Sequence, residues 1–215
     1  MAENTLDNLN DLQFDVLKEI GNIGAGNATT ALAKMMNMKI DMNVPRVDLV
    51  PFTNLPDIFG SPEEVLAGIL VQLDGDIKGM MMFLVKEKSA HNLVNSLMGG
   101  MIQSSGDGFS DMELSALGEI GNIIIGAYLS AMSNLTSLKI SSSVPYISID
   151  MAGALLSDDE DINYSTEGDG ISAKIRGDKV LLIETQFGEL DFVNGYFLMV
   201  PELESYDAIL SSLGM

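Results

Sequence analysis

"LKEIGNIGAGNATTAL", residues 17–32, and "LGEIGNIIIGAYLSAM", residues 117–132, are the stretches on which the fold turns. They lie 100 positions apart, and the match runs without a gap from 11–45 to 111–145, where 13 of 35 residues are identical. The shared block is Glu-Ile-Gly-Asn-Ile at 19–23 and 119–123, followed by Gly26 and Gly126, Ala31 and Ala131, "KI" at 39–40 and 139–140, and "VP" at 44–45 and 144–145. A repeat of this length means two copies of one supersecondary unit, each burying its apolar face against the other. Apolar residues at helical spacing place a helix over each copy of the block.

A second, weaker match at an offset of 116 relates 79–99 to 195–215. In both, an apolar strand leads into a short amphipathic helix, with Ser89 and Ser205 read as the N-caps. Further strands are predicted at 39–44, 139–144, 65–73, 79–86, 180–187 and 193–200, the last four forming hairpins around "DGD" and "GELD". Each copy therefore reads helix, strand, hairpin, helix: residues 9–100 and 109–215, joined by "QSSGDG" at 103–108. The expected fold is a single α/β domain of the α+β kind over residues 1–215. Its helices would pack on a mostly antiparallel central sheet, with the two repeats related by a pseudo-two-fold axis.

Composition narrows the function. With 47% hydrophobic and 20% charged residues the chain is globular. It has no cysteine, which removes disulfides and thiolate chemistry. A formal charge of −20 opposes nucleic acid, whose phosphates need a basic face. The uncharged run 120–138 approaches membrane-spanning length, but Asn122, Ser130, Asn134, Thr136 and Ser137 favour a buried helix over membrane insertion. The first residues lack a basic, then apolar leader, so a cytoplasmic location is expected. The acids of "SDDEDINYSTEGDG" (157–170) do not follow calcium-loop spacing and read as a solvated loop.

At 100° per residue, Asp15, Glu19 and Asn22 fall in one narrow polar stripe, with Leu17, Ile20 and Gly24 opposite it. Ser115, Glu119 and Asn122 repeat the stripe opposite Leu117 and Ile120. Gly26 and Gly126 sit on the stripe's azimuth one turn later, leaving a notch for a visiting backbone, whereas Gly24 suits tight helix packing. Glycine costs a helix about 1 kcal/mol relative to alanine, so these positions need a compensating use. A phosphate loop does not fit: the P-loop lysine is missing and the glycines follow a helical pattern, not a strand. The single histidine, His91, reads as a polar-face residue of a short helix, and no cluster has metal-ligand spacing. What a glutamate and an asparagine three residues apart can do is hold water and a cationic partner. A carboxamide both accepts and donates hydrogen bonds, and phosphoryl transfer asks mainly for positioning.

The pattern [Asp/Ser]-x3-Glu-x2-Asn-x22-Pro, present as Asp15, Glu19, Asn22, Pro45 and again as Ser115, Glu119, Asn122, Pro145, resembles the signature of the CheC/CheX/FliY phosphatases of chemotaxis. Two copies of the motif point to the CheC branch. The resemblance implies hydrolysis of the aspartyl phosphate of the response regulator CheY (CheY-P), which brings its own Mg2+; no cofactor of this chain's own is implied. Asn22 and Asn122 would orient the attacking water, Glu19 and Glu119 would meet the regulator's lysine, Asp15 and Ser115 would flank the contact, and Pro45 and Pro145 would shape the chain beside the helix. The resemblance also implies a second partner, the deamidase CheD, with Asp150 in "SIDMAGALL" as its contact; an amphipathic helix start would explain the same residues equally well. A monomer is expected. The rival readings are a CheD-binding adaptor or CheY-P sink with minor catalysis, and a flagellar-motor component. Bulky Ile124, Ile125 and Tyr128 replace Gly24, Ala25 and Ala28, so the two sites are expected to differ.

Overall fold

The computed structural model describes residues 11–37, 39, 42–99, 108–156, 179–187 and 193–212. Residues 103–107 of the 103–108 joint, the acidic stretch 157–170 and the "GELD" turn lie outside them. Two 26-residue helices, α1 (Asp11–Met36) and α4 (Asp111–Thr136), begin and end at positions 100 apart. They stop at matching places too, Asn37 and Ser137 both taking positive φ (47° and 58°), a left-handed turn that ends the helical ladder. After α1 come β1 (Met42–Pro51), a short α2 (Leu55–Ile58), β2 (Val65–Gly75), β3 (Gly79–Lys86) and α3 (Glu87–Leu97). After α4 come β4 (Ile140–Ser142), β5 (Tyr146–Met151), α5 (Ala152–Leu155), β6 (Lys179–Phe187), β7 (Val193–Pro201) and α6 (Leu203–Ser212).

The seven strands form one sheet in the order β1-β6-β7-β3-β2, with β4 and β5 both lying along the outer side of β2. Every pairing is antiparallel. The order is a palindrome of the two copies, and each copy gives its outer strand to the other: β1 pairs with β6, and β5 with β2. Register locates the axis. Val47 faces Ile183 and, symmetrically, Ile147 faces Ile69, so the outer strands keep the offset of 100 while the hairpins are offset by 183 − 69 = 114. Phe83 faces Phe197, its own equivalent at 114, so the pseudo-two-fold axis passes between these two residues. The offset of 116 read from the sequence holds only for the starts of α3 and α6, Glu87 and Leu203, because β7 runs one residue longer than β3 and Glu202 then separates it from α6.

Two other expectations change. Ser89 and Ser205 lie inside their helices and are not N-caps; α3 starts from Lys86, and the Ser205 hydroxyl accepts from the Lys78 amide at 2.8 Å, tying α6 to the β2–β3 turn. The strand expected at 39–44 begins at Met42 and runs to Pro51, and its counterpart is broken at 143–145 into β4 and β5. The central strands are buried on both faces. Ile69, Val71, Met81, Phe83, Ile183 and Phe197 face α1 and α4, while Leu66, Leu70, Met82, Leu84, Leu182 and Leu198 share a second cluster with Leu55, Phe59 and Leu155. Such runs read as continuous hydrophobic stretches because neither face meets water. Among the described residues α4 is the one helix long and apolar enough to cross a membrane, but it belongs to the core: Leu117, Ile120, Ile124 and Tyr128 have no accessible surface, all packed into the cluster on the sheet.

Candidate functional site

The repeated glycine sets where the helices sit. A Cβ on Gly21 would lie 3.0 Å from Val47 Cγ2, and one on Gly121 would lie 2.5 Å from Ile69 Cγ2, so at these points each helix rests directly on the sheet. The next residue, Asn22 or Asn122, is turned about 100° from that contact, to the side of the helix. Leu17 and Ile20 are each 3% exposed and seal the opposite side of α1. Packing of the apolar side thus orients the polar stripe.

Asp15 and Glu19 are exposed on α1, as are Ser115, Glu119 and Asn122 on α4. Asn22 differs. It is half-buried, and its carboxamide Oδ1 is shielded from solvent with no hydrogen-bond partner. Beside Asn122, a Cβ built on Gly126 meets no atom within 4 Å, so the notch next to the second carboxamide is open. Gly26 is half-exposed, and its carbonyl accepts from Thr30 Oγ1 at 3.0 Å. The bulky residues of the second copy are not at the stripe: Ile124, Ile125 and Tyr128 are buried between α4, α1 and the sheet. Gly24 makes room for one of them, since a Cβ there would lie 2.5 Å from the Tyr128 ring.

The two prolines mark one place in the fold. Pro45 lies in β1, where the ladder to β6 shifts register between Asn43 and Arg46. Pro145 is half-buried in the break between β4 and β5. Proline cannot donate to a ladder, so an interruption of an outer strand tolerates it. Asp150 is exposed on β5, opposite Leu66, and its Oδ1 accepts from the amide of Met151 at 2.8 Å.

A cluster missed from sequence steadies the start of α4. Ser110 caps the helix: its amide and hydroxyl donate to Glu113 Oε2 at 2.9 and 2.8 Å, and its hydroxyl accepts from the Glu113 amide at 3.4 Å. These bonds, from the Ser110 backbone first and its hydroxyl second, hold the Glu113 carboxyl below the ordinary glutamate range. His91, from α3, places Nδ1 3.2 Å from Glu113 Oε1 and stacks on Phe109 with ring centroids 3.9 Å apart. His91 is therefore half-buried at a helix junction and not on a polar face. The Ser-x-x-Glu spacing at 110–113 was the available signal. Among the described residues, no three of histidine, aspartate and glutamate converge as metal ligands.

The chain is 34% identical over 206 residues, 94% of each chain, to the CheY-P phosphatase CheC of Bacillus subtilis (strain 168). The chain belongs to the CheC-like family. A profile of the CheC-like family matches residues 12–48 and 112–149, the two helix-plus-outer-strand units. The CheC-like fold is shared with Thermotoga maritima FliY, at a TM-score of 0.70 and 19% identity, covering 96% of this chain and 98% of that one. It is also shared with the middle domain of FliM from H. pylori, at a TM-score of 0.64 and 12% identity, covering 95% and 99%.

Proposed function

We propose that this CheC-like chain is a protein phosphatase that hydrolyses the aspartyl phosphate of a CheY-type response regulator. The observation that carries the reading is the duplicated stripe: Glu119 and Asn122 lie exposed on α4, and on α1 Glu19 is exposed beside a half-buried Asn22. Such a stripe cannot act alone, but it can complete a centre that already holds the phosphoryl group and a metal ion. The regulator, as substrate, brings its phosphoaspartate, Mg2+ and a lysine. Glu119 pairs with that lysine and fixes the docking angle. The carboxamide oxygen of Asn122 accepts a hydrogen bond from water and holds its oxygen in line with phosphorus. The P–O bond from water forms as the bond to the aspartyl oxygen breaks, returning a free carboxylate and releasing phosphate with the water's protons shed to phosphate and solvent. Glu19 and Asn22 do the same on α1, Asp15 and Ser115 line the rim, and the reaction runs in the cytoplasm.

The sites are not equal in this reading. Asn122 offers its carboxamide to solvent, whereas Asn22 must turn its shielded oxygen outward before it can hold water. With phosphorylated cognate regulator and a phosphate-release assay, Asn22→Ala/Asn122→Ala lowers the stimulated rate about 10²–10³-fold, the usual loss for a preorganised hydrogen-bonding group. Asn122→Ala alone accounts for most of it. Undiminished hydrolysis by the double variant would refute the mechanism and leave the adaptor reading, in which Asp150 and the β5 edge hold CheD, as the surviving one.

A further inference from the structure

Among the described residues five large apolar side chains are exposed, and two of them, Leu12 (64%) and Met112 (61%), are related by the 100-residue repeat. A single exposed leucine needs no explanation, because much of any protein surface is apolar. What sets this pair apart is position. Seven residues before each site glutamate, Leu12 and Met112 lie two helical turns upstream and within about 20° of the azimuth of Glu19 and Glu119. The order along each helix is therefore apolar residue, Asp15 or Ser115, glutamate, asparagine, glycine, on one face and over about 21 Å. Helix positions in between are used differently: Val16 and Ala116 pack against the core, and Leu17 and Leu117 are buried in it. The first turn of α4 is held by its Ser110–Glu113 cap, so Met112 is displayed on rigid backbone, next to a glutamate that turns inward.

We propose that Leu12 and Met112 are apolar anchors that bind the phosphorylated regulator at the rim of each site. The proposal rests on the phosphatase reading for its choice of occupant. The argument for that occupant is continuity: the anchor, the flanking polar residue, the glutamate and the asparagine form one strip that a single receiver domain would cover when its phosphoaspartate reaches Asn22 or Asn122. A chain with a formal charge of −20 and exposed acids along both helices gains from an uncharged contact at this rim, since burying a leucine or methionine side chain adds affinity that salt does not screen. These residues would set KM and not the chemical step.

The experiment compares wild type with Leu12→Gln/Met112→Gln, a change that keeps side-chain length and helix propensity. The double variant raises KM for the phosphorylated cognate regulator about tenfold, with kcat falling less than about twofold. It weakens binding of the beryllofluoride-activated regulator about tenfold in a titration that involves no turnover. The exchange Leu12→Met/Met112→Leu restores tight binding, as an apolar contact requires. Wild-type KM and affinity in the glutamine variant would overturn the anchors while leaving the asparagine site standing. Hydrolysis surviving in Asn22→Ala/Asn122→Ala, run in parallel, would overturn the catalytic reading alone, and the titration would still decide on Leu12 and Met112.

Discussion

Tyr128 stands where the first copy has Ala28, and its ring fills the space that Gly24 leaves open on α1. It stacks on Phe197 with centroids 5.3 Å apart, and Phe197 in turn lies 4.8 Å from Phe83, so an aromatic column runs from the pseudo-axis to one helix only. The Tyr128 hydroxyl is buried without a hydrogen-bond partner, and burial pushes its ionisation far above the ordinary range. A buried hydroxyl with no partner carries its full desolvation cost. Tyr128→Phe is therefore expected to stabilise the protein by about 1 kcal/mol, read as a higher urea midpoint at unchanged slope, while Gly24→Ala loses about 1–3 kcal/mol by overpacking against the ring. The unequal bulk of the copies was legible in the sequence, but its destination was not. A residue's side of a helix follows from spacing, whereas the complementarity of Gly24 with a residue 104 positions later depends on how two helices cross.

At the scale of elements, α4 is fixed by a junction and not by propensity alone. Glu113 accepts from Ser110 and meets His91, two residues before Ser115 begins the second stripe. Because its folded-state pKa is lowered, the ionised carboxylate contributes stability that is present above the unfolded value of about 4.3 and is lost as pH falls through the lower folded value. Glu113→Gln should cost about 1 kcal/mol near neutrality. The gap to wild type, measured by urea unfolding across a pH series, should close below about pH 4. A gap that stays constant down to strong acid would show that the carboxylate's charge is not what caps the helix. The helices themselves were readable from 3.6-residue spacing, and the hairpin strands from continuous apolar runs. His91 was misplaced because a polar residue on a short helix looks solvated until the neighbouring element that covers it is known.

The whole molecule is two copies that cannot be pulled apart along the chain. Removing residues 109–215 would strip β1 of its partner β6 and leave the β2–β3 hairpin without β5 or β7. An isolated hairpin is marginal in water. Residues 1–102 and 109–215 made separately are expected to be unfolded by circular dichroism and to regain native signal when mixed, and the intact chain to unfold in a single transition. Independent folding of either fragment would contradict the strand exchange. The repeat announced a symmetric sheet, yet which outer strand joins which hairpin is a long-range choice that periodicity cannot express. That choice makes the two copies tolerate change unequally inside and outside. A stripe asparagine can be altered on one helix without touching the other copy, so either reaction centre is free to be retuned or silenced. The strands that swap places bind both copies to a common fate, and inheritance can specialise the surface while leaving the woven interior intact.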